Sequence, residues 1–115
     1  MTRARGNVLQ NALARWLAAN GWPHAESAGA GRQGSDVLGT PGVVWECKTA
    51  YDFKRDFRPQ QWISQAAAHA RVAETASVPI VVYFAPGIGA GNAGNALAIV
   101  PLHVQVQLLR EAGYC

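Results

Sequence analysis

Residues 78–85, VPIVVYFA, are β-branched or aromatic almost without interruption and carry no charge. Such a run predicts a strand buried on both faces, and a strand of that kind needs a layer packed on each side of it. The chain supplies two helical stretches for this. In residues 5–19, Leu9, Leu13, Trp16 and Leu17, with Val8 and Ala12, recur at i, i+3, i+4, i+7 spacing and define one apolar stripe. Asn20-Gly21 and then Pro23 supply its stop. Residues 60–76, QQWISQAAAHARVAETA, are rich in strong helix formers, with Pro59 suited to the first turn.

The remaining segments fill in an α/β layout. Residues 22–28 read as a short strand, followed by a turn-rich loop, AGAGRQGSD. Residues 36–39 and 43–49 read as two strands joined across Thr40-Pro41-Gly42, which predicts an antiparallel hairpin. Residues 50–58 are charged with aromatics interleaved. PGIGAGNAGN reads as a flexible loop, and residues 96–100 as another strand. Residues 101–113 read as a final helix, although Val104 to Leu108 also fit strand alternation. The expected order is α, β, β, β, α, β, β, α: one domain over residues 1–115, a mixed sheet with helices packed on it.

With 50% hydrophobic and 15% charged residues, the chain is composed as a folded domain. No apolar run approaches the roughly 20 residues of a membrane span, and no signal-type apolar core follows the N-terminal arginines. Cys47 and Cys115 form neither a disulfide framework nor a zinc set. A reduced, cytoplasmic setting is expected, with Cys47 as a small core residue. Nine of the ten Lys/Arg and five of the seven Asp/Glu fall in residues 1–71, a net of +4 against −1 for the rest. A basic first half suits a polyanion partner, as it also suits ordinary surface charge.

Within VVWECKT, residues 43–49, alternation sends Val43, Trp45 and Cys47 to one face and Val44, Glu46 and Lys48 to the other. Asp36, opening the neighbouring strand, is expected beside Glu46. Two adjacent carboxylates repel unless a positive charge lies between them. Mg²⁺ meets that need through one or two carboxylates, a backbone carbonyl and water or phosphate oxygens. Lys48 would then stand near a metal-bound water and a scissile phosphate. The arrangement reads as metal-assisted phosphodiester hydrolysis. A plain same-face pair of Glu46 and Lys48 is the bland alternative, and it leaves Asp36 unexplained.

Asp36, nine residues, then Glu46-Cys47-Lys48 resembles the signature of the PD-(D/E)XK nuclease superfamily. The RG and Gln10 of the first helix, the GAGRQGSD loop, ECK, the glutamine-bearing helix and VPIVVYF together resemble archaeal-type Holliday junction resolvases and their phage relatives. The resemblance covers roughly residues 5–102. It implies an αβββαβ core, a homodimer, Mg²⁺ with Mn²⁺ as a substitute, and cleavage of four-way DNA junctions, inside a bacterial host cell if the chain is phage-encoded. It assigns Asp36, Glu46 and the Cys47 carbonyl to the metal, and Lys48 to the attacking water. Gln65 would contact that lysine or a DNA phosphate, with Gln10 and Gln61 accessory. Three positions depart from the family: Gln10 replaces a glutamate, Ala30 a loop serine, and Ser35 the proline before the first acid. They leave other substrates (flaps or ends) and a non-cleaving branched-DNA-binding module as alternatives.

Arg32, Lys54, Arg55 and Arg58 flank the active-site strand, with Tyr51, Phe53 and Phe57 between them, and Arg3 and Arg5, read as part of a mobile N-terminal tail, would add phosphate contacts. Basic residues interleaved with aromatics suit backbone contact and strand opening, while the aromatics equally suit anchoring the segment. GAGNAG, residues 89–94, matches G-x-G-x-x-G in form, but a strand-like NALAIV follows where a dinucleotide site needs a helix, so no nucleotide cofactor is expected. His24, His69 and His103 fall on different elements without metal spacing and read as surface or packed residues. His69 extends the Gln61–Gln65 row and would touch DNA if it contributes.

Overall fold

The computed structural model describes residues 3–29, 34–49, 53–72 and 78–115. Helix α1 spans Arg3–Ala19, strand β1 Glu26–Ser27, β2 Val37–Leu38 and β3 Val43–Thr49. Helices α2 (Phe53–Asp56) and α3 (Pro59–Val72), strand β4 (Val78–Phe84), a 3₁₀ turn (Ala90–Asn95), β5 (Leu97–Ile99) and α4 (Leu102–Glu111) follow. The expected order holds apart from the added helical turn α2 and the 3₁₀ turn, as a mixed α/β fold with helices on the sheet.

β4 is the central strand of the order β3-β4-β5. It pairs in parallel with β3, Glu46 opposite Val81 and Lys48 opposite Tyr83, and antiparallel with β5. Parallel neighbours need a crossover, and α2 and α3 supply it. Alternation along β3 and β4 then builds two cores. On one face Trp45, Cys47, Val82 and Phe84 pack with Leu9, Ala12, Leu13 and Leu17 of α1. On the other, Val81 and Tyr83 pack with Trp62 and Ala66 of α3, backed by Phe57. The double coverage foreshadowed by VPIVVYFA is therefore present.

Four expectations need correction. First, the apolar stripe of α1 is narrower than its sequence suggests: Val8 is 53% exposed and Trp16 42%. Ala14 lies in the core with Leu13 and Leu17, which turns the buried arc away from Val8. Trp16 leans on Gly94, where an added Cβ would come within 2.7 Å of the indole nitrogen. Second, that contact belongs to an ordered 3₁₀ turn where a flexible loop was expected. Third, α1 begins at Arg3, so Arg3 and Arg5 sit within its first turn and not on a tail. Fourth, residues 50–58 include a helical turn, α2, within the expected charged segment.

The expected β2–β3 hairpin also differs. The turn is present: Val43 N–H donates to Thr40 O at 3.1 Å, with Pro41 second and Gly42, at φ 82°, third. Yet β2 pairs with β1, antiparallel, and makes no ladder with β3. Side chains take the place of that ladder. The Trp45 amide donates to Ser35 Oγ at 2.9 Å and the Cys47 amide to Asp36 Oδ2 at 2.7 Å. The Asp36 amide donates to Trp45 O at 2.8 Å. Ser and Asp side chains compete in this way with backbone carbonyls. Ser35 thus does what a proline there could not. Ser35→Ala leaves the Trp45 amide without its acceptor, and we expect a loss of about 1–3 kcal/mol in urea unfolding; an unchanged midpoint would show that solvent replaces the hydroxyl.

Candidate active site

The site gathers at the C-terminal part of β3, between the β2 edge and α3. Asp36 reaches it because its backbone is fixed on three sides. Its carbonyl accepts from the Ala28 amide at 3.0 Å and from Gln10 Nε2 at 2.9 Å, and its own amide bonds Trp45 O. Gln10 also donates to Ser27 Oγ at 3.0 Å. So α1, β1 and β3 together set where the Asp36 carboxylate lies: against the Cys47 amide, at the residue next to Glu46. Because the amide and carbonyl of one strand residue point to the same side, the Cys47 carbonyl faces this edge as well.

Glu46 is 4% exposed and lies beneath α3, where His69 Nδ1 stands 2.5 Å from its Oε1. An ionised carboxylate only accepts, so Nδ1 carries the hydrogen of that bond when Glu46 is charged. One turn away on α3, Gln65 Oε1 accepts from Lys48 Nζ at 3.1 Å. The contact between Gln65 and the lysine is thus present. Gln61 lies exposed on the same row.

Electrostatics tie these groups together. Burial raises the Asp36 pKa above its ordinary value, while the Cys47 amide and the charges of Lys48 and His69 oppose the shift. Burial also raises Glu46, and the negative charge of Asp36 raises it further; the His69 hydrogen bond and the charges of His69 and Lys48 pull it down. Cys47 is buried in the α1-side core, and burial, reinforced by Asp36, pushes its thiol up to about 12. Its sulfur is therefore inert at neutral pH, and only its carbonyl is available to the site.

Among the described residues, no three His, Cys, Asp or Glu side chains form a cluster placed to hold a metal. A cation here would be held by two carboxylates and the Cys47 carbonyl, with water or phosphate oxygens completing its shell. That donor set suits Mg²⁺ or Mn²⁺ and not a zinc-type site. A buried carboxylate whose ionisation is made costlier by a second, part-buried one beside it fits a divalent cation.

Of the basic residues, Arg55 and Arg58 are exposed, with Arg55 Nε 3.4 Å from Asp56 Oδ1. Arg32, and the side chains of Arg3, Arg5 and Lys54, lie outside the described residues. Phe57 serves as an anchor and not as a free stacking surface: its ring lies 4.9 Å from Tyr83 and 5.5 Å from Trp62. His69 belongs to the site, where the sequence suggested a surface or packed histidine. Its place four residues beyond Gln65 is visible in the sequence; that it faces Glu46 is not.

Comparison with family models, curated proteins and solved structures returns no match.

The carboxylate shifts fix a sign for stability. Both groups hold protons more tightly folded than unfolded. The metal-free fold is therefore most stable with both neutral, and it loses stability as pH rises past their ordinary values, 3.8 and 4.5, through the raised folded ones. Thermal melts in chelator should show that fall. Asp36→Asn, which keeps an acceptor for the Cys47 amide, should be more stable than the parent at neutral pH, on the order of 1 kcal/mol. A less stable variant would contradict the burial argument.

Proposed function

We propose that the chain is a Mg²⁺-dependent endonuclease of the PD-(D/E)XK type that resolves four-way DNA junctions as a homodimer. The observation that carries this reading is the meeting of Asp36, Glu46 and Lys48 at one end of β3, with Asp36 Oδ2 on the Cys47 amide and Gln65 on the lysine. The helix–three strands–helix–strand order around them supports the same superfamily core.

In this reading Asp36, Glu46 and the Cys47 carbonyl hold the cation. When bound, it neutralises phosphate charge and acidifies a water. Asp36 is delivered by its backbone anchors, so its carboxylate needs no rearrangement to bind. Glu46 is shielded from bulk water by α3, which strengthens its pull on a cation. Lys48 places an ammonium group beside the reacting phosphate, where it orients the incoming water and offsets the developing charge. Gln65 fixes the position of that ammonium. Exposed Arg55 and Arg58 follow the same end of β3 and offer phosphate contacts.

Resolution requires two symmetric nicks, hence two sites related by a two-fold axis. The exposed apolar row Leu102, Val106 and Leu109 on α4, a helix with no buried residue, supports an association of this kind. A second reading, a branched-DNA-binding module that does not cut, draws on Gln10. Its amide is engaged with Ser27 and Asp36 where the family carries a carboxylate.

A labelled four-way junction incubated with Mg²⁺, beside linear duplex, separates these readings. Paired symmetric nicks are expected, lost in Asp36→Ala and reduced about 10²–10³-fold in Lys48→Ala. Equal cutting of linear duplex would point to a general nuclease, and tight junction binding without cutting under any divalent metal to the module.

A further inference from the structure

The spacing of β3 and α3 gives His69 a place that the nuclease signature leaves unfilled. Two residues along a strand advance about 6.6 Å, and four along a helix about 6 Å. The step from Lys48 back to Glu46 therefore matches the step from Gln65 to His69. α3 runs antiparallel to β3, and each polar residue of the strand meets one residue of the helix: Lys48 meets Gln65, and Glu46 meets His69. The Glu46 contact is the more enclosed of the two, since the carboxylate side chain is 5% exposed and the imidazole 27%. Among the described residues, Asp36 and Lys48 are the other charged groups whose fields reach Glu46.

Glu46 has two oxygens. His69 engages Oε1, which leaves Oε2 for another partner. We propose that His69 is the positioning residue of Glu46. Its Nδ1–H holds one carboxylate oxygen and fixes the rotation of the group, so that the other oxygen is presented to a divalent cation shared with Asp36. The role needs only an N–H donor, which a neutral imidazole provides as well as a charged one. Groups that hold a metal ligand in place in this way strengthen the site without touching the metal. The inference rests on the metal-dependent reading above and adds to it the residue that orients its most buried ligand.

The test is Mn²⁺ alone, titrated calorimetrically into metal-free protein with no DNA present, with thermal melts alongside. Wild type is expected to bind, and Asp36→Ala to abolish binding. His69→Ala and His69→Leu, the latter keeping bulk without a donor, should each weaken binding about 10–100-fold. His69→Asn, whose amide nitrogen stands near the position of Nδ1, should restore most of the affinity. That rescue, with melting temperatures close to wild type, is what a purely packing role would not produce. If either donor-less variant binds Mn²⁺ as tightly as wild type or tighter, His69 merely fills space or competes with the cation, and the inference is overturned alone. Wild-type protein that takes up no Mn²⁺ would overturn the metal reading and this inference with it.

Discussion

The hydrogen bond from the Cys47 amide to the Asp36 carboxylate, 2.7 Å long, joins the edge of the main sheet to the chemistry-bearing cluster. An edge strand exposes a row of donors and acceptors that must be paired, covered or solvated. On β3 that row is closed by Thr40 O, Ser35 Oγ and Asp36 Oδ2 in turn. The last of these is also an acid. A backbone carbonyl in the same place would have sealed the edge equally well and left no acid beside Glu46. Sealing the strand and building the site are thus one event. The small β1–β2 pair and Gln10 matter because they hold the Asp36 backbone for it.

The other side of the site depends on a match of periods. A strand presenting alternate residues and a helix presenting every fourth advance at nearly the same rate, so two polar rows can face each other over a turn or two. Ala66, fully buried, lets α3 approach β4 closely beside these rows. Trp62, Phe57 and Tyr83 form the apolar wedge next to them. The polar contacts of Gln65 and His69 therefore sit at the margin of a core, not at its centre. Lys48 and Gln65 meet in the open, while Glu46 and His69 are enclosed.

Much of this was legible in the chain. VPIVVYFA required cover on both faces, and α1 and α3 supply it. VVWECKT alternates as its pattern demands, with Trp45 and Cys47 on the α1 side and Glu46 and Lys48 under α3. What pattern reading missed has a common cause: it follows side chains as apolar or polar and does not follow where backbone hydrogen bonds go. The hairpin expected between residues 36–39 and 43–49 failed as a ladder because Ser35 and Asp36 supplied side-chain acceptors to β3. The spacing of Trp16 fits the core, yet the packing arc of α1 is set by Leu9, Leu13 and Leu17 with two alanines beside them. The sequence places His69 on the Gln61–Gln65 row, but histidine spacing alone gives no sign of the carboxylate it faces across a layer.

The burial that raises both carboxylates also shapes what could approach them. α3 closes the Glu46 end, and the β2 edge closes the Asp36 side. The Lys48 end is more open, and the chain leaving it leads to Arg55 and Arg58 before α3 begins. In the proposed nuclease a phosphodiester would meet positive charge first and the acids last, with a cation between it and them. That order matters physically. Two ionised carboxylates facing a polyanion directly would repel it, whereas carboxylates held at the base of the site, weakly disposed to ionise without a cation and offset by it when it is bound, present little repulsion in either state. Metal and phosphate would then bind with mutual support, because each reduces the electrostatic cost of the other at the same pair of acids.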